Sequence, residues 1–97
     1  MAYVRINMVE FENSEAMKEN SEELNKNAGV IFPEVQLIAA IATSDTSALS
    51  ISIYPDKESA DKALTQRDKY HDGRPIEVVM AHEGDLSAFY QRPSITV

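Results

Sequence analysis

The period of the apolar positions switches between two and about 3.6 along the chain, and each switch marks an element. Residues 3–10 alternate, with Val4, Ile6 and Met8 on one side and Tyr3, Arg5, Asn7 and Val9 on the other, as a strand requires. Asn13 or Ser14 then supplies a helix cap, and Glu15 in the first turn suits the positive helix N-terminus. The helix is expected to run to about Ala28 and stop at Gly29, with a weak inward stripe of Met17, Leu24 and Ala28 joined by Asn20 and Ser21. Beyond Pro33, residues 35–43 are nearly all apolar, which reads as a short strand buried on both faces. Ser44-Asp45-Thr46-Ser47 has turn composition, and residues 48–54 alternate again, Leu49, Ile51 and Ile53 against Ser50, Ser52 and Tyr54. Pro55 ends that strand, Asp56 caps a second helix, and Ala60, Ala63, Leu64, Arg67 and His71 share one face of it. Asp72-Gly73-Arg74-Pro75 breaks this helix. Residues 76–84 alternate a last time, Ile76, Val78, Met80 and His82 against Glu77, Val79, Ala81 and Glu83.

The order is β-α-β-β-α-β, an α+β arrangement with both helices in crossover connections. Right-handed crossovers place the two helices on one face of an antiparallel sheet of order 4-1-3-2. Residues 1–97 are expected to form one ferredoxin-like domain, with 85–97 as a C-terminal tail. The more apolar set, Val4, Ile6, Met8, Leu49, Ile51, Ile53, Ile76, Val78 and Met80, is expected to face the helices as the core. The opposite face would then mix Val9, Ile38, Ala40, Ala42, Val79 and Ala81 with Tyr3, Arg5, Asn7, Ser50, Ser52 and Tyr54. Such a face calls for cover, and a second copy supplies it with a single self-complementary patch. Arg5, Ser50, Ser52, Val79 and Glu83 are therefore the expected homodimer contacts, with Arg5 and Glu83 adjacent on the first and last strands. Leu86, Phe89 and Tyr90 are too apolar for a free tail and are expected to pack on the partner or over a cavity mouth.

Charge narrows the partners. The formal net charge is −7 and the few Lys and Arg are scattered, so nucleic acid is not expected, its affinity coming largely from cations that neutralise phosphates. No apolar run approaches the ~18 residues that cross a bilayer, and no basic and apolar leader opens the chain. No membrane association and a cytoplasmic location are the resulting expectations. Without cysteine, thiolate nucleophiles and Cys-bound zinc are excluded.

With these elements in place the chain resembles the dimeric α/β-barrel superfamily, which includes antibiotic-biosynthesis monooxygenases, haem-degrading monooxygenases and stress-responsive barrel proteins. The resemblance spans nearly the whole length. It is carried by Tyr54-Pro55-Asp56-Lys57-Glu58-Ser59-Ala60, similar to the entry into the second helix in that group, and by Glu83-Gly84-Asp85-Leu86-Ser87-Ala88-Phe89-Tyr90 after the last strand. It implies a homodimer holding a small apolar or aromatic molecule between helices and sheet. Haem-degrading members use an Asn, Trp and His set; Asn7 and His71 match two of the three, and the chain has no Trp. No cofactor is expected.

Some side chains stand out as candidates for chemistry. Arg67 occupies an inward position where an apolar residue is expected, and its guanidinium suits a ligand carboxylate. His71 and His82 are the candidate general bases, at opposite ends of the last strand and so not one metal site; no metal is expected. Met8, Met17, Met80 and Ala63, with Arg67 and His82, are the expected ligand contacts, a soft lining with few polar groups. Three functions remain open: a homodimer that binds a small apolar or amphipathic ligand, a cofactor-independent monooxygenase or related enzyme acting in the same cavity, and a structural or regulatory dimer with a filled core.

Overall fold

The elements appear in the expected order in a computed structural model: β1 (Tyr3–Phe11), α1 (Ser14–Ile31), β2 (Leu37–Ala42), β3 (Ser47–Tyr54), α2 (Lys57–His71) and β4 (Ile76–Asp85). The structure describes residues 1–74, 76–93 and 95; Pro75 of the expected helix break, and residues 94, 96 and 97 of the tail, lie outside the described residues. The strands form an antiparallel sheet of order β2-β3-β1-β4, which is the expected 4-1-3-2 read from the other edge.

Local chemistry accounts for the boundaries. Asn13 caps α1 by accepting from the Ala16 amide at 2.8 Å, and Asp56 caps α2 by accepting from the Ser59 amide at 2.7 Å. The Ser59 bond also holds the Asp56 carboxyl below its ordinary value. Gly73, at φ 72°, takes the left-handed turn after α2 that other residues avoid. Gly29 does not stop α1, which runs on to Ile31. An exposed mid-helix glycine costs only about 1 kcal/mol, and Ile31 and Phe32 anchor the last turn against Tyr3, Tyr54, Ala60 and Ala63.

The two faces of the sheet are the reverse of the expectation. Tyr3, Arg5, Asn7, Val9 and Phe11 are the buried residues of β1, while Val4, Ile6 and Met8 are only partly buried. Tyr3 packs with Ala60 and Ala63 of α2, and Val9 and Phe11 pack with Ala16 and Met17 of α1. The helices therefore cover the mixed face. The apolar set, Val4, Ile6 and Met8 opposite Ile53, Ile51 and Leu49, points away from both of them. On β4 a bulge adds Val79 between Val78, which pairs with Val9, and Met80, which pairs with Met8. Ile76 and Val78 thus stay on the helix side as expected, whereas Met80 and His82 move to the outer face and Ala81 and Glu83 to the inner one.

This inversion corrects the expected interface: Arg5, Ser50, Ser52 and Glu83 lie under the helices, and Val79 is the bulge residue. β2 is also corrected. It is an edge strand and mostly exposed, not buried on both faces. Ile38 and Ala40 turn to the helices, while Leu37, Ala39 and Ile41 extend the outer apolar patch. Ile41 is 52% exposed and Met80 38%. The accessible surface is 6573 Å², against about 5,500 Å² for a compact monomer of this mass.

Candidate functional site

A cavity of about 70 Å³ lies between the sheet and the helices. Its floor is polar, formed by Arg5, Asn7, Ser50 and Ser52, because these alternate positions of β1 and β3 face inward. Helix α1 contributes Asn20 and Leu24, and α2 contributes Ala63, Leu64, Arg67, Tyr70 and His71, successive positions of its inward stripe. Val9, Phe11, Phe32 and Ile38 supply apolar walls. Among the described residues no Asp or Glu lines this cavity, in a chain of net charge −7.

An ion-pair network centred on one buried guanidinium adjoins it. Arg5, 5% exposed, donates from Nε to Glu83 Oε2 at 2.8 Å, from Nη2 to Asp61 Oδ1 at 2.8 Å, and to the Ala60 carbonyl. Tyr3 donates to Glu83 Oε1 at 3.0 Å and Lys57 to Asp61 Oδ2 at 3.1 Å. Burial works against the Arg5 charge, but the bonds to Glu83 and Asp61 outweigh it and hold its pKa up. Glu83 is pulled below its ordinary value by Arg5 and then Tyr3, Asp61 by Lys57 and then Arg5. Burial, then the Glu83 bond, pushes the Tyr3 phenol up. The adjacency of Arg5 and Glu83 is as expected; its side of the sheet is not.

Two polar atoms in the cavity lack partners. Asn7 Oδ1 and Arg67 Nε are buried without a hydrogen bond among the described residues, although such groups are almost always satisfied. Arg67 meets only the mostly exposed Asp68, at 3.5 Å, among the described ion pairs. Tyr70 donates to Asn20 Oδ1 at 2.9 Å, tying α2 to α1 across the cavity, and burial pushes its phenol up. Burial and then Arg67 hold His71 below its ordinary value. The His71 ring should therefore titrate below about 6.5 when its proton resonances are followed by NMR. A value above that would mean the ring is solvated or paired with an acid.

Among the residues singled out in the sequence, Arg67, Ala63 and His71 line the cavity. Asn7 lines it too, so the two residues that the resemblance paired share one space. Met17 packs beside Val9 and Phe11. Met8, Met80 and His82 sit on the outer face, with His82 opposite Ile6. The two histidines are thus on opposite sides of the sheet. Sequence reasoning missed Ser50, Ser52, Asn20 and Tyr70 as cavity residues. Asn20 was the available signal, being a polar side chain on the inward stripe of α1.

Fold and cavity together define a ferredoxin-like sandwich with helices over a polar pocket and a bare apolar sheet face behind it. The solved structures that it resembles include dimeric ferredoxin-like and antibiotic-biosynthesis-monooxygenase-like proteins. A dimeric ferredoxin-like protein from an uncultured marine organism matches with a TM-score of 0.67 at 10% identity, over 95% of this chain and 100% of that one. A provisionally named antibiotic biosynthesis monooxygenase from Chloroflexus aurantiacus J-10-fl gives 0.65 at 13%, over 94% and 98%. A variant of SnoaB, a cofactor-independent oxygenase from Streptomyces nogalater, gives 0.56 at 13%, over 96% and 98%. At these identities the likeness establishes the fold. No protein-family model and no curated protein matches the sequence. No helix among the described residues is long and apolar enough to cross a membrane.

Proposed function

We propose that the chain works as a homodimer, paired through its outer sheet face, that holds a small amphipathic molecule between the sheet and the helices. The observation that carries the ligand is Asn7 Oδ1, a buried acceptor with no partner, on the floor of a cavity with apolar walls. An orphaned acceptor of this kind costs about 1 to 3 kcal/mol, which a ligand donor offsets. The cavity is smaller than the roughly 150 Å³ that accepts benzene, so a ring enters only as a wall moves. Helix α1 is the wall free to do so, because none of its residues is fully buried. The dimer rests on the uncovered apolar patch and on an accessible surface roughly 1,000 Å² above that of a compact monomer, near the ~800 Å² that each partner of a standard interface buries. Dimeric ferredoxin-like proteins of the same fold support it.

Binding is tested with fluorescent aromatic ketones and phenols. Ala63 is 3% exposed and lines the cavity, so Ala63→Phe should fill the space, abolish uptake and cost about 1 to 3 kcal/mol of stability. Unaltered uptake in that variant would place the ligand elsewhere, and no uptake by the unaltered chain would leave water as the occupant.

A second reading is supported by the likeness to a cofactor-independent oxygenase: the bound molecule itself reacts with oxygen after losing a proton. His71, kept neutral in the same cavity, is its candidate base. Oxygen uptake by the purified protein with a bound phenol would separate this reading from binding alone.

A further inference from the structure

We infer that the ligand of this cavity is a hydroxy acid, its carboxylate held by Arg67 and its hydroxyl donated to Asn7. This rests on the binding reading above and adds the chemical class. The first observation is charge. Sixteen acidic and nine basic side chains leave the protein at −7, yet among the described residues no acidic one lines the cavity, while two guanidinium groups do. The overall field repels an anion, so a pocket free of carboxylates and bearing cations is a local reversal of it.

The two guanidinium groups are not equivalent. Arg5 is spent on Glu83, Asp61 and the Ala60 carbonyl. Arg67 is not. Its Nε–H is buried without a partner, and its Nη2 meets the mostly exposed Asp68 at the long distance of 3.5 Å. An Nε–H beside a weakly engaged terminal nitrogen is the two-donor edge that receives a carboxylate in fork geometry. A neutral carbonyl would satisfy one of these donors and leave the charge uncompensated.

Asn7 sets the second requirement. Its residue is 9% exposed and its Oδ1 unpaired, so it needs a donor, which a carboxylate lacks and a hydroxyl has. Arg67 approaches from the helix layer and Asn7 from the sheet, so the two groups engage the ligand from opposite walls. Val9, Phe11 and Leu24 line the space between them with apolar surface, which a ring would occupy once α1 moves.

Calorimetric titration of the full chain with 4-hydroxybenzoate, 4-hydroxybenzamide and benzoate, in which the hydroxyl and the acid group lie at opposite ends of the ring, tests this. The hydroxy acid should bind at least tenfold more tightly than either relative, since each removes one partner. Arg67→Gln should erase the preference for acid over amide, and Asn7→Leu the preference for hydroxybenzoate over benzoate. Asn7→Ser, a smaller change, should reduce the latter preference if the leucine variant misfolds. An amide that binds as tightly as the acid, or an acid-to-amide ratio unchanged in Arg67→Gln, would overturn the inference. Uptake of neutral phenols and ketones with rejection of the acid would overturn it while leaving the binding reading standing. Failure of every aromatic compound would remove both.

Discussion

Replacing Ile6 and Ile51 by glutamate is expected to leave a folded monomer of 10.8 kDa, and the unaltered chain is expected to sediment at about twice that mass. These residues pair directly across β1 and β3, the central strands, and so sit in the middle of the outer patch. A charge buried there without a partner costs roughly 3 to 5 kcal/mol, two to four decades in dissociation constant. A two-fold dimer would repeat each charge on the facing copy. Neither side chain lines the cavity, so circular dichroism should show the fold retained. A chain that is monomeric at tens of micromolar before any change, or a variant that stays dimeric, would show that the patch is not the interface. The tail adds a second exposed apolar group, Phe89 at 58% and Tyr90 at 79%, which a partner has the opportunity to cover.

The element order was legible in the sequence because period and caps are local properties. Asn13, Asp56 and the Asp72-Gly73 turn act within a few residues of themselves, and the structure keeps each of them. Which face the helices cover is not local. Both alternating sets of β1 could serve, and the more apolar one was assigned to the core. That choice holds for a chain that folds alone, whereas here the more apolar set faces away from the helices and, apart from the buried Ile53, keeps part of its surface exposed. The helices carried the missing signal. Asn20 on the stripe of α1 and Arg67 on that of α2 needed polar neighbours, and Asn7, Ser50 and Ser52 are the sheet positions that provide them. The bulge at Val79 is missed when residues 76–84 are read as one alternating strand, although Val78, Val79, Met80 and Ala81 are four consecutive apolar residues that leave the register open there. The all-apolar β2 misled in the same way: a strand apolar on both sides needs two covers, and within one chain it finds only the helix layer.

The site itself was half legible. Arg67 was recognisable because it breaks an apolar stripe, and Ala63 because a small residue at an inward position leaves space. The assignment of Met8, Met80 and His82 to the same cavity followed from the face choice and fell with it. The pocket is consequently more polar than its expected methionine lining, and hydrogen bonding rather than soft packing is what a ligand must satisfy.

Arg5→Met is expected to destabilise the fold by about 2 kcal/mol and to flatten its acid sensitivity. The figure lies below the roughly 3 to 5 kcal/mol for breaking a fully buried pair, because the stranded Asp61 and Glu83 side chains are 48% and 45% exposed and regain water. The remaining cost is the Ala60 carbonyl, which loses the Arg5 donor, and Tyr3, left with a carboxylate that no guanidinium holds in place. The pH dependence follows from the same bonds. Glu83 and Asp61 are both held below their ordinary values, Glu83 chiefly by Arg5 and Asp61 by Lys57 and Arg5. The stability they contribute is complete above the unfolded carboxylate value of about 4 and is lost as pH falls through their lower folded values. Without Arg5 the folded values rise towards the unfolded ones, so less remains to be lost. Thermal melts at one protein concentration, taken from about pH 7 down to about pH 2.5, should show the two chains furthest apart at neutral pH and converging below about pH 4. A gap that stays constant across that range would mean that Arg5 acts through packing of its stem and not through its two carboxylates.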